Sequence, residues 1–143
     1  MKLSKKAYYG LRASLALAKA KTPLSSHVIA EEEGISPTYL EKILQALRKH
    51  NVVEAARGTK GGYILTGPHV SAWDVISALE GPLTIYPAHT ASRNVAGRPS
   101  LIKGTLPCMV PTHCQTNAIF RELEENLEST LKNIALTSLI NQS

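Results

Sequence analysis

Most apolar positions along this chain recur at helical spacing, and punctuating residues cut the pattern into separate elements. Ser4 can cap a first helix over about 5–20, with Tyr8, Leu11, Leu15 and Ala18 on one face; Thr22-Pro23 ends it. A second helix runs from Ser25 or Ser26 to Glu33 with Val28, Ile29 and Ala30 as its inner side, and Gly34 stands where a left-handed residue closes a helix. Ser36-Pro37 restarts the pattern, a capping side chain followed by proline at the first helical position. Leu40, Ile43, Leu44 and Leu47 then fall at i, i+3, i+4 and i+7, which predicts an amphipathic third helix ending near His50-Asn51.

The period changes after that helix. Two short β-prone runs, Val52–Ala56 and Tyr63–Leu65, flank the basic, glycine-rich stretch Arg57-Gly58-Thr59-Lys60-Gly61-Gly62 and predict a hairpin. Ser71-x-x-Asp74 opens a further helix carrying Trp73, Val75, Ile76 and Leu79, stopped by Gly81-Pro82. Residues 82–114 add Pro87, Pro99, Pro107 and Pro111 with little periodicity and read as a long loop, the kind that is either functional or disordered. Phe120, Leu123, Leu127, Leu131 and Ile134 then form a narrow apolar seam on a helix from about 116 to 134, with Glu122, Glu124, Glu125 and Glu128 off it. A stripe with so little chain left to cover it suggests pairing with a second copy, against the alternative of a helix folded back on its own domain.

Helix, short turn, helix and basic-tipped hairpin, in that order, make a winged helix-turn-helix. The predicted fold is mainly α with a small β-hairpin wing and a long C-terminal dimerisation helix. Its predicted parts are a DNA-binding domain at 1–82, a sensor loop at 83–114 and a dimerisation helix and tail at 115–143. A recognition helix presents its N-terminal residues to base edges. Here those are Ser36, Thr38, Tyr39, Glu41 and Lys42, with Arg48 near the other end suited to phosphate. Glu41 is an acceptor suited to a cytosine amino group; Ser36 and Thr38 can serve bases or phosphates. In the wing, Arg57 and Lys60 supply charge, and an arginine entering a narrow minor groove gains from its enhanced negative potential. The plainer alternative is a tight hairpin with solvated charges.

Charge sharpens this picture. Residues 1–65 carry eleven Lys and Arg against five Asp and Glu, whereas residues 66–143 carry five against six. A basic front half joined to a near-neutral rear half points to a polyanion-binding part and a part with another task. No apolar run approaches the length of a membrane span, and Arg12 and Lys19 interrupt any signal-like segment, so a cytoplasmic protein is expected. Ser, His and carboxylate residues form no recognisable triad, and Gly58-Thr59-Lys60-Gly61-Gly62 lacks the spacing of a phosphate-cradling loop, so no enzyme is expected.

Several strings are recognisable together: Ile35-Ser36-Pro37-Thr38-Tyr39-Leu40-Glu41-Lys42-Ile43-Leu44, Val53-x-x-x-Arg57-Gly58-x-x-Gly61-Gly62-Tyr63-x-Leu65, and Asp74-Val75-Ile76-x-Ala78-Leu79-Glu80-Gly81-Pro82. With the C-terminal Ala118-Ile119-Phe120-Arg121-x-Leu123, they resemble the bacterial IscR/NsrR/CymR superfamily of dimeric winged-helix regulators over almost the whole chain except about 83–107. The resemblance implies homodimers gripping palindromic sites on double-stranded DNA. It also implies that Ser36, Thr38 and Glu41 occupy base-facing positions and Arg57 the wing arginine.

Cys108 and Cys114 are the chain's two cysteines, and in a cytosolic protein they read as a thiol or metal feature rather than a structural disulfide. Cluster-binding members of the superfamily hold an iron–sulfur cluster with three cysteines in this loop plus a histidine or acidic residue. The resemblance matches Cys108 and Cys114 to the second and third of these cysteines, but Ile102 and Asn117 stand at two other ligand positions. Four ligands, mostly thiolates, normally hold a cluster. The candidate roles of the pair are therefore an iron–sulfur cluster sensing cluster status, redox or nitric oxide, a thiol switch, or inert loop residues. Zinc held by Cys108, His113 and Cys114 lacks the usual structural spacing. The rival readings keep the DNA binding but put control in a thiol, a small ligand or a regulatory protein partner, or make the winged fold a protein-interaction module.

Overall fold

The computed structural model describes residues 2–59, 61–85 and 115–141. The chain divides into two compact units, one made of Met1–Gly81 with Thr130–Ser143 and the other of Pro82–Ser129.

In the first unit, helix α1 spans Lys5–Ala20, and the Ser4 side chain accepts from the Ala7 amide as its cap. Helix α2 (Ser26–Glu33) is capped by Ser25 and closed by Gly34 at φ 63°, and helix α3 (Pro37–Lys49) follows after the three residues Gly34, Ile35 and Ser36. Strands β1 (Val53–Ala56) and β2 (Gly62–Leu65) pair antiparallel, Val53 opposite Leu65 and Ala56 opposite Gly62. Helix α4 (Ala72–Glu80) starts with a complete capping box, Ser71 and Asp74 each bonding the other's backbone amide.

The α3 stripe is the centre of this unit: Leu40, Ile43, Leu44 and Leu47 are all fully buried, joined by Leu17, Ile29, Val53 and Val75. Helix α1 meets the core with part of the expected face, Ala18 being buried and Leu11 and Leu15 packed half-buried against it. Its buried residues are Ala7, Gly10, Ala13, Ser14, Leu17 and Ala18, while Tyr8 is 57% exposed. The reason is close packing: a Cβ at Gly10 would collide with Leu79 Cδ1 of α4, so small residues let the two helices approach where larger ones would hold them apart. Val28 likewise lies outside, leaving Ile29 and Ala30 as the inner side of α2.

Helix α5 runs Gln115–Lys132, so Ile134 of the expected seam lies beyond its end, before the short helix α6 (Leu136–Ile140). The chain end is tied into the first unit by an isolated bridge between Ser71 and Ala135, with the Ala72 amide donating to Ile134 and the Leu136 amide to Val70. Leu136 is fully buried there, and Leu131 and Ile134 pack half-buried on the same core. Along the rest of α5, in the second unit, Ile119 and Leu123 are exposed. In that unit the Ile85 amide donates to Glu124 at 2.7 Å.

Candidate nucleic-acid interface

Burying one stripe of α3 turns its opposite side outward. Ser36, Pro37, Thr38, Lys42 and Arg48 are exposed. Ser36 occupies the cap position without a side-chain bond to the helix, which leaves its hydroxyl uncommitted to the helix end. With proline at the first position, the first free amides of α3 are those of Thr38 and Tyr39, and a helix start of this kind favours negative charge. Tyr39 stands half-buried, its ring edge-on to Tyr9 at 6.1 Å between centroids, and Tyr9 in turn meets Tyr8 at 5.6 Å. Arg12 lies 5.7 Å over the Tyr8 ring and pairs with Glu33 at 2.8 Å. The hydrogen bond to Glu33 raises the Arg12 pKa above its ordinary value.

Glu41 is not free. It is half-buried, and Oε1 accepts a 3.0 Å hydrogen bond from the hydroxyl of Tyr63 on β2. Burial first, then this bond and the nearby carboxylate charge, raise the Tyr63 pKa, while the positive charge of Arg48 opposes them. Tyr63 is itself anchored. Its amide donates to the Leu24 carbonyl at 2.7 Å and its carbonyl accepts from the Leu24 amide at 3.0 Å, an isolated antiparallel bridge that sets one residue of the α1–α2 connection alongside β2. Gly62 permits that approach: a Cβ there would sit 2.7 Å from the Ser25 nitrogen and nearer still to the Leu24 carbonyl.

At the hairpin tip Arg57 is exposed, Gly58 adopts φ 127°, and the Gly61 amide closes the turn onto the Gly58 carbonyl at 2.9 Å. Lys60 lies outside the described residues, as do Cys108, His113 and Cys114. Among the described residues no group of three or more His, Cys, Asp or Glu is placed to hold a metal ion. No helix among them is long and apolar enough to cross a membrane.

The structure thus joins Glu41 to Tyr63 where α3 meets the hairpin, with the charge of Arg48 acting on the phenol and Ser36 and Thr38 at the helix start. Sequence reasoning passed over Tyr63. The available signal was strand alternation, which puts Tyr63 and Leu65 on one face of β2.

An exposed polar start on a helix whose stripe is buried, followed by a basic-tipped hairpin, defines a winged helix-turn-helix transcription regulator. The Rrf2 family, described as an iron-dependent transcriptional regulator, matches residues 3–142, and the chain belongs to it. The HTH-type transcriptional regulator IscR of Klebsiella pneumoniae is 33% identical over 145 aligned positions, covering 99% of this chain and 80% of that protein. Among solved structures, CymR (YrzC), the global cysteine regulator of B. subtilis, superposes with a TM-score of 0.71 at 26% identity, covering 100% of this chain and 98% of that one. IscR of T. potens superposes with a TM-score of 0.70 at 28% identity, covering 100% and 89%. The protein is a DNA-binding transcriptional regulator of the IscR/CymR type.

Proposed function

We propose that the protein acts in the cytoplasm as a homodimer on palindromic operators, with one α3 per half-site in the major groove and the wing on the adjoining groove. In this reading residues 1–82 contact DNA, 83–114 sense and 115–143 pair the subunits. The observation that carries it is the two-sided character of α3, whose Leu40, Ile43, Leu44 and Leu47 are fully buried while Ser36, Thr38 and Lys42 are exposed. Ser36, Thr38, Tyr39, Glu41 and Lys42 then supply base and phosphate contacts; Arg48, Arg57 and Lys60 supply charge against the backbone or minor groove. The exposed Ile119 and Leu123 on α5 fit a surface awaiting a second copy.

Control is assigned to Cys108 and Cys114. The family's description as iron-dependent supports an iron–sulfur cluster there. One chain, however, offers two thiolates and the adjacent His113 imidazole, short of a four-ligand, thiolate-rich set, and Ile102 and Asn117 carry no ligand of that kind. That donor set favours a second reading, in which the same regulator is governed by its thiols, by a small ligand or by a protein partner. An oxidised form of Staphylococcus aureus CymR, 29% identical with a TM-score of 0.65, has been solved, which is consistent with thiol control.

Two measurements test these readings. Binding to duplex DNA at several salt concentrations should show a specific site whose affinity falls with salt as phosphate contacts release counterions. Absence of binding above the nonspecific level on any fragment would favour a protein-interaction module. Iron and sulfide analysis of protein purified without oxygen separates the two forms of control: stoichiometric iron and sulfide mean a cluster, and colourless, iron-free protein means the second reading.

A further inference from the structure

Glu41 is the sole acidic residue of α3, and on a helix that approaches phosphates its carboxylate is repelled unless it meets a donor. A free glutamate has three rotatable side-chain bonds and spreads over many orientations, most of which miss any given base edge. In this protein the side chain is held. Tyr63 donates to Oε1 at 3.0 Å, and Tyr63 is fixed by its two backbone bonds to Leu24 and by the close seat of Gly62 on the Leu24–Ser25 backbone. A carboxylate accepts about four hydrogen bonds, so the tyrosine takes one and leaves the others open.

We propose that Tyr63 is a positioning residue for base selection: its hydroxyl aims the Glu41 carboxylate at the exocyclic amino group of a cytosine or adenine in the major groove. The wing strand thereby takes part in reading a base that the wing does not touch. The proposal rests on the reading that α3 enters the major groove. It assigns Tyr63 a role apart from hairpin packing, which the ring alone could perform. The neutral phenol needed for donation is the form that burial and the carboxylate both favour.

The test uses the full chain and a random-sequence duplex pool, selected separately with the native protein, Tyr63→Phe, Glu41→Ala and the double variant. Dissociation constants are then measured on single-base variants of the preferred site, and thermal melting confirms that each protein is folded. The native protein should prefer a base bearing an amino group at one position per half-site by about tenfold. Glu41→Ala should abolish that preference, and Tyr63→Phe should cut it to about threefold or less while leaving other positions unchanged. The double variant should match Glu41→Ala, because the hydroxyl acts through the carboxylate. Three results overturn the proposal and leave the DNA-binding reading intact: native preference retained in Tyr63→Phe, weakening spread evenly over all positions in that variant, or an unchanged preference in Glu41→Ala. Failure of the native protein to select any site would instead overturn the DNA-binding reading, and the proposal with it.

Discussion

The hydroxyl of Tyr63 on β2 and the carboxylate of Glu41 on α3 meet at 3.0 Å, so the hairpin and the exposed helix are joined by a side-chain bond as well as by core packing. Glu41 and Tyr63 are 22 residues apart in the chain. The bond stiffens the relation between two elements that separately contact DNA in the proposed reading.

Its first consequence concerns alkaline pH. The Tyr63 pKa is raised in the fold, so the folded state binds this proton more tightly than the unfolded chain does. The associated stability is complete below the ordinary tyrosine pKa of about 10 and is lost as pH rises through the higher folded value. Thermal unfolding followed from pH 8 to 11 should therefore fall more steeply in the native protein than in Tyr63→Phe. Parallel profiles would show that the phenol does not contribute.

Gly62→Ala should destabilise the first unit, because the added methyl meets the Leu24–Ser25 backbone rather than a yielding side chain. The expected cost is about 1–3 kcal/mol, read as a lower midpoint in urea. An unchanged midpoint would mean that the hairpin can shift away from Leu24 freely.

Arg57→Ala should weaken binding to all sequences by a similar factor and reduce the slope of log affinity against log salt by about 1, as expected for one lost phosphate contact. The exposed position of Arg57 makes a folding effect small. An unaltered slope would remove this residue from the interface.

On α5, Leu123 is 45% exposed, so a charge there costs the isolated subunit little. If this face pairs two subunits, Leu123→Lys should move the protein towards monomer in light scattering at micromolar concentration. A variant that stays dimeric would place the pairing surface elsewhere.

The elements of the first unit were legible because several independent signals agreed at each boundary. The i, i+3, i+4, i+7 leucine and isoleucine pattern, Gly34 and the Ser71/Asp74 box each produced the expected stripe or cap, and Ser36-Pro37 marked the helix start although the Ser36 side chain makes no cap bond. The face of α1 was only partly legible: Leu11, Leu15 and Ala18 do meet the core, but helical spacing of large apolar residues gives no weight to the buried Ala7, Ala13 and Ser14, nor to Gly10, which is small beside Leu79. Periodicity also could not show that the end of the C-terminal seam is used at home: Leu131 and Ile134 pack on the first unit's core. At the interface, residue type and helix position sufficed to propose Ser36, Thr38 and Glu41. Strand alternation gives the face of β2 that carries Tyr63, but the partner of its hydroxyl, Glu41 on α3, leaves no mark in local spacing. Of the predicted loop at 82–114, residues 86–114, with both cysteines, lie outside the described residues.

Leu136 sits fully buried among residues from the opposite end of the chain, and the backbone on either side of it is stitched to Val70 and Ala72. A single backbone break anywhere between residues 86 and 114 therefore leaves a tail fragment still plugged into the body that precedes it. Such a nicked protein should travel as one species on a native gel and separate into two bands only after denaturation. Removing the tail altogether has a different effect: it pulls a hydrophobic stopper from the unit that carries α3.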